Sequence, residues 1–212
     1  PEHYLLNGKV FWAEIKKHGD VVKFVVENAN EEIGVDVKKF GNIEAMPGDT
    51  IRYDFSDIRN ESNVPLDNFY WRDILPTDAV TLRIISTGTW NEELKYTIYY
   101  KTNLVSEERA LAERLSTSTN NTIDCSASAV KLKAGEVITE IRFDFGTVQP
   151  GFEPLTNPYI TCLVHPDLPH EYRFKNCTDV GGERGDEWVI DKDCWVTVIY
   201  AVPKGKLPKT GN

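Results

Sequence analysis

Apolar and polar residues alternate with a period of two along much of the chain, and this pattern restricts the fold more than any other feature. The alternation is clear at 21–27, 51–55 and 172–175. Successive side chains of a strand point to opposite faces, so this period indicates strands with one buried face. Turn residues recur between such segments, as at 47–49 (PGD) and 181–182 (GG). The pattern predicts an all-β fold, an Ig-like β-sandwich with Greek-key-type strands.

One segment favours a helix instead. Residues 106–115 (SEERALAERL) combine a serine in the capping position with residues that form helices readily. We therefore expect a turn or two of helix there, inside a loop insertion.

Charge and hydropathy argue against nucleic-acid binding and against a membrane-spanning helix. The 212 residues include 24 Lys and Arg against 33 Asp and Glu, which gives a net charge of −9. Nucleic-acid binding depends on clustered basic residues, and no basic run is present, so no nucleic-acid partner is expected. No apolar stretch approaches the roughly 20 residues of a membrane helix, so no membrane span is predicted in this fragment.

Two composition shifts predict three parts. A polar segment at 28–34 separates a hairpin-like opening from the next strand, and a Pro- and Lys-rich stretch follows the last strand. The opening is too short to bury a core of its own. The predicted parts are 1–32, the end of a truncated β-domain; 33–202, the sandwich; and 203–212, a linker with a terminal motif.

Three polar residues fall on the apolar side of their predicted strands: Lys39, Asp73 and Asn176. Each shares its strand parity with two preceding apolar residues, so each side chain is predicted to point inward. Burying a Lys, a carboxylate and an Asn is costly unless the three contact one another. Asp54, a second candidate acid, has outward parity.

Such a trio has the composition of an intramolecular isopeptide crosslink. Burial disfavours the ammonium form, which leaves the Lys39 amine neutral and nucleophilic. The same burial keeps the Asp73 carboxyl protonated, so that it can polarise the Asn176 carbonyl and move protons. Alternatively, Asp73 caps a turn, Lys39 extends its amine to solvent at a strand end, and Asn176 satisfies backbone groups.

Residues 35–76 (VDVKKFGNIEAMPGDTIRYDFSDIRNESNVPLDNFYWRDILP) resemble the opening of the isopeptide-forming domains of Gram-positive pilins and adhesins. The shared features are a first strand ending in Lys, then PGDTIxY, then D-x-LP. The similarity continues at 172–182 (YRFKNCTDVGG) and covers residues 33 to about 200. It implies that Lys39 and Asn176 form the bond and that Asp73 is the catalytic acid.

The opening has a resemblance of its own. Residues 4–32 are similar to the final hairpin of a collagen-adhesin B-type domain, in which Asn28 would be the Asn that ends the last strand. Its lysine partner would precede Pro1, so no bond is predicted here. The alternative is an extra hairpin packed on the main sandwich.

The C-terminal residues match the LPxTG cell-wall sorting signal of Gram-positive surface proteins: Leu207, Pro208, Lys209, Thr210 and Gly211. In that family a sortase cleaves between the Thr and the Gly and joins the Thr to peptidoglycan. The hydrophobic segment and basic tail of the full signal are missing after Asn212, so the chain must be cut there for this interpretation to hold. The alternative is a flexible tail with a fortuitous match.

The four cysteines show no CxxC spacing, which argues against a zinc ribbon. Cys162 and Cys194 have inward parity and are predicted to be small buried hydrophobic residues, whereas Cys177 should point outward. An extracellular site permits disulfides, but we favour free thiols. His165 and His170, in a proline-constrained loop, are expected to be solvated, so neither a metal nor a cofactor is predicted.

These features predict a wall-anchored, extracellular stalk domain that presents distal adhesive modules and is not an enzyme. Sortase and peptidoglycan are its expected partners, and upstream modules would contact a host glycan or matrix protein. The alternative is a carbohydrate- or matrix-binding adhesin module, in which Trp90 and Tyr70 could stack on a sugar ring. A third option, an accessory domain of a glycosidase, would require a catalytic module upstream.

Overall fold

The computed structural model describes the backbone of residues 2–6, 9–13, 16–18, 21–23, 27–28 and 30–201, and the side chains of residues 30–201. The described residues are almost entirely β, with α1 (Ala127–Val130) as a single turn of helix. The predicted all-β sandwich is confirmed.

Among the described residues, five short strands precede the main domain. The first, second and fifth form a three-stranded antiparallel sheet, and the third and fourth pair with each other. Their bounds are β1 (Glu2–Leu6), β2 (Lys9–Ala13), β3 (Lys16–His18), β4 (Val21–Lys23) and β5 (Glu27–Asn28). That they are the remnant of a truncated domain stays a prediction.

One face of the sandwich is a five-stranded antiparallel sheet. Its strands are β6 (Val35–Gly41), β8 (Thr50–Asn60), β10 (Val80–Ser86), β14 (Thr122–Asp124) and β17 (Tyr159–Val164). Their order is β14-β10-β17-β8-β6, so the first strand of the domain lies at an edge of the sheet.

The other face is a seven-stranded sheet. Its strands are β7 (Glu44–Ala45), β9 (Leu66–Ile74), β12 (Lys95–Thr102), β13 (Arg109–Ser116), β15 (Ile138–Val148), β18 (Arg173–Arg184) and β19 (Glu187–Ile199). Their order is β13-β12-β15-β9-β18-β19-β7, antiparallel except for the short β19–β7 pair. A small separate pair joins β11 (Thr89–Trp90) to β16 (Pro154–Thr156).

The core lies between the two sheets and is rich in aromatic residues. Trp71 on β9 packs against Phe55 on β8 of the opposite sheet, with ring centroids 4.5 Å apart. It packs equally closely against Phe143 of neighbouring β15. Such contacts join the inward faces of both sheets into one core, which surrounds the three predicted inward polar residues.

The helix predicted at 106–115 is wrong. Most of that segment is the edge strand β13, which pairs with β12 through two shifts in register. Arg109 anchors its start by an ion pair with Glu136 and by lying 4.6 Å from the centre of the Tyr100 ring. These tertiary contacts override the helical preference of the segment.

The expectation of free thiols is wrong for two of the four cysteines. Cys177 and Cys194 form a disulfide because the register of the β18–β19 hairpin places them directly opposite each other, with Cα atoms 4.1 Å apart. Cys194 is therefore only half-buried on the outer face, contrary to its predicted inward position. Cys162 is buried and free, as predicted, and so is Cys125.

Candidate functional site

The two sheets bring Lys39, Asp73 and Asn176 together inside the sandwich. Lys39 projects from β6 of the five-stranded sheet, whereas the other two project from β9 and β18 of the seven-stranded sheet. Strands β9 and β18 are neighbours, and Thr178 lies opposite Asp73. Asn176 is thus the diagonal neighbour of Asp73 on the same face, within reach of its side chain.

The Asp73 carboxyl links the other two side chains. Lys39 Nζ donates a short hydrogen bond to Asp73 Oδ1, and Asn176 Nδ2 donates to Asp73 Oδ2 at 3.1 Å. Lys39 is 1% exposed, and Asp73 and Asn176 are not exposed at all. The predicted burial of all three residues is confirmed, while their chemical roles stay a prediction.

Aromatic rings surround the lysine amine. Lys39 Nζ lies 4.3 Å from the ring centre of Phe55 and 4.7 Å from that of Tyr53. Both rings belong to β8, the strand that pairs with β6. Such an environment removes water from the amine, so the ammonium form loses most of its hydration.

Burial moves the two pKa values toward each other. It lowers the pKa of Lys39 below 10.5, and the attraction of Asp73 opposes this shift only in part. It raises the pKa of Asp73 above 3.8, against the opposing effects of Lys39 and Asn176. Both shifts favour a neutral amine beside a neutral carboxylic acid.

The Asn176 side chain has an unsatisfied acceptor. Within the described part of the chain, its buried Oδ1 has no hydrogen-bond partner, which is costly for a carbonyl oxygen. A protonated Asp73 carboxyl is a suitable donor, because turning the amide by half a rotation exchanges Oδ1 and Nδ2. In that arrangement the acid polarises the Asn176 carbonyl.

Two acidic residues that sequence reasoning did not single out hold the lysine strand in place. Asp193 Oδ2 accepts a hydrogen bond from the backbone N–H of Lys39 at 2.8 Å, and Asp191 Oδ2 accepts one from Val37 at 3.1 Å. Both carboxylates belong to β19 and satisfy donors on the edge of β6. Both share their strand parity with Val189 and Trp195, which pack against the core, and this parity was the available signal.

Asp54 lies outside this cluster. It accepts hydrogen bonds from Arg52 on the outer side of β8, in agreement with its outward parity. Lys38 likewise faces outward and pairs with Asp36 at 3.1 Å.

The proposed stacking role of Trp90 is wrong. Its side chain is 3% exposed and lies parallel to Phe152, with ring centroids 5.0 Å apart. Its Nε1 donates to the backbone oxygen of Thr87 at 3.2 Å. A sugar ring cannot reach a face that is already covered by core side chains, so Trp90 is a packing residue.

We expect Trp90→Phe to lower the free energy of unfolding by about 1–3 kcal/mol, since it removes a buried hydrogen bond and part of the packed ring system. Trp188→Phe is the matched control, because Trp188 is 51% exposed and should change stability by less than about 0.5 kcal/mol. Urea unfolding of both variants measures the difference. Equal effects would contradict the packing role.

The remaining sequence features give no further site. His165 Nε2 lies 3.1 Å from the Thr81 hydroxyl. No three His, Cys, Asp or Glu side chains of the described residues are placed to hold a metal ion. In the same part of the chain, no helix has the length and apolar character needed to cross a membrane. The LPKTG motif at 207–211 lies outside the described residues.

Comparison with known proteins identifies no family. No family description and no curated protein matches this sequence. Among solved structures, AggA, the major subunit of aggregative adherence fimbriae type I from Escherichia coli, is similar over 82% of this chain and 97% of its own. The two share 9% identity and a TM-score of 0.31, which is too low to assign a common fold.

Proposed function

We propose that this protein is a stalk domain of a bacterial surface protein, stiffened by a self-catalysed isopeptide bond between Lys39 and Asn176. The observation that carries the proposal is the buried contact of both residues with the Asp73 carboxyl. Burying an amine, an acid and an amide in mutual contact does not make a core more stable, because apolar residues of similar size would give the protein at least the same stability.

The reaction starts from the neutral pair. Lys39 Nζ attacks Cγ of Asn176 while the Asp73 acid donates a hydrogen bond to the carbonyl oxygen. The new bond joins Nζ to Cγ, and the bond between Cγ and Nδ2 breaks. Asp73 carries a proton from the attacking amine to Nδ2, so that ammonia leaves and the carboxyl returns to its starting state. The reaction happens once per molecule, so the domain is not an enzyme with turnover.

The position of the proposed bond would give it a mechanical effect. It would join β6, the first strand of the domain, to β18, a late strand of the opposite sheet. The hydrophobic contacts between the sheets would then be supported by a covalent link through the core. Separating the sheets under load would require breaking an amide rather than only non-covalent contacts.

Anchoring completes the proposal. The LPKTG motif at 207–211 supports cleavage by a sortase between Thr210 and Gly211 and attachment of Thr210 to peptidoglycan. The domain would then stand close to the wall, outside the cell, and present more distal adhesive modules. The disulfide agrees with such an oxidising location.

The intact mass of the protein tests the bond. Under reducing and denaturing conditions, we expect the mass to be lower than that calculated from the sequence by one ammonia. Lys39→Ala and Asn176→Ala should each show the full calculated mass, because each removes one bonding partner. Lys38→Ala, a neighbour that faces outward, should keep the deficit. An unmodified wild-type mass would show that the three residues are only structural.

A further inference from the structure

We propose that the Cys177–Cys194 disulfide completes a covalent load path through the domain that the Lys39–Asn176 bond alone leaves open. The inference rests on the proposed function, because the disulfide has this role only if the isopeptide bond forms. It assigns a mechanical function to a crosslink on the outer face of the sandwich, away from the bonding site.

The register of the β18–β19 hairpin places the two crosslinks in series. Asn176 lies opposite Trp195, and the next pair along the hairpin is Cys177 opposite Cys194. The disulfide therefore begins one residue after the crosslinked Asn176. Seven further residue pairs follow, all of them between the disulfide and the turn at Gly185.

Without the disulfide, load would open this hairpin from its free end. Tension that enters at the first strand passes from Lys39 to Asn176, and it leaves the domain at the end of β19. Both loaded points lie near the open end of the hairpin, so only the non-covalent pairing of β18 with β19 resists their separation.

Strand β19 is the one that would detach. β18 is paired on its other side with β9, over six residues of its length. On its own outer side, β19 pairs with β7 only at Val198 and Ile199. Its remaining contacts with β6 include hydrogen bonds that the carboxylates of Asp191 and Asp193 accept from the β6 backbone, and these would break when β19 detaches.

With the disulfide, tension passes from Cys177 directly to Cys194 and does not reach the rest of the hairpin. The path through the domain then runs from Lys39 to Asn176, Cys177 and Cys194. Everything between residues 39 and 176, and between 177 and 194, is shielded from load. Only the residues before Lys39 and after Cys194 can extend.

Single-molecule stretching of the full chain between marker domains tests this load path. The variant is Cys177→Ser/Cys194→Ser, with its intact mass checked for the ammonia deficit. We expect its extension to exceed that of wild type by about 55 Å, because a sequence separation of 17 residues is released from a Cα distance of 4.1 Å. The reference variant Asn176→Ala should extend by several hundred Å, since a segment of more than 100 residues becomes free to unfold.

Each outcome separates the two proposals. If wild type and the double serine variant extend equally, and both extend far less than Asn176→Ala, the load path is overturned while the isopeptide bond stays in place. A wild-type extension as long as that of Asn176→Ala would show that the bond is absent, and both proposals would then fail. Extension by about 55 Å only in the serine variant would support both.

Discussion

Replacing Lys39 with methionine is expected to lower the midpoint of thermal unfolding by about 10–20 °C. The change removes the proposed nucleophile and leaves an apolar side chain of similar length among the rings of Tyr53 and Phe55. Asp73 keeps its contact with Asn176 and, because burial raises its pKa, can stay protonated. The main expected loss is therefore that of the proposed crosslink rather than of packing.

The magnitude follows from chain entropy. The proposed bond would close a loop of more than 100 residues, and a crosslink of that span restricts the unfolded chain by about 5 kcal/mol. For a domain of this size, each kcal/mol changes the unfolding midpoint by about 2–4 °C. Calorimetry of the wild type and the variant measures the shift.

Lys38→Met is the matched control on the same strand. Lys38 faces solvent and contacts Asp36, so its removal should change the midpoint by about 2 °C or less. If Lys39→Met melts within that margin as well, then the wild-type protein contains no stabilising bond at Lys39.

Strand parity was sufficient to place the inward polar residues. Lys39, Asp73 and Asn176 each follow apolar residues of the same parity, and a strand in water must bury its apolar face. Parity does not, however, say which strands meet across the core. The contact of Asp73 with the other two depends on strand order, which the local sequence does not encode.

The features that sequence analysis missed depend on strand register and on contacts between separate segments of the chain. The disulfide follows from the register of β18 against β19, which parity alone leaves undetermined. The strand at Arg109–Ser116 exists because β12 offers it an edge, and its local composition favours a helix. Trp90 lies in a segment with turn-like composition, but Phe152, far away in sequence, covers its ring.

Replacing Asp73 with alanine is expected to have the largest effect on stability. The change removes the acid proposed to polarise Asn176, so the bond should not form and the full calculated mass should be recovered. Lys39 then remains buried with no carboxylate beside it. An uncompensated buried charge costs about 3–5 kcal/mol, in addition to the lost crosslink. Urea unfolding should therefore give Asp73→Ala a lower free energy of unfolding than Lys39→Met, which lacks the crosslink but contains no buried amine.

The double variant Lys39→Met/Asp73→Ala isolates the buried charge. It also lacks the bond, but it contains no ammonium to desolvate, so it should be more stable than Asp73→Ala by about 3–5 kcal/mol. Equal stabilities would mean that Lys39 reaches solvent when its partner is removed.

The stability of Asp73→Ala should also rise with pH. Burial already lowers the pKa of Lys39 below 10.5, and the variant removes the attraction and hydrogen bond of Asp73 that oppose this shift. Between the folded pKa and 10.5, the unfolded chain therefore binds a proton that the folded chain does not, so stability increases as pH rises through this window. In wild type with the proposed bond, the same nitrogen would be an amide and should contribute no such slope. Urea unfolding of both proteins from pH 7 to 10 measures this slope. If the stability of the two proteins changes with pH in the same way, then either Lys39 carries no free amine in the variant or it keeps one in wild type, and the prediction is wrong.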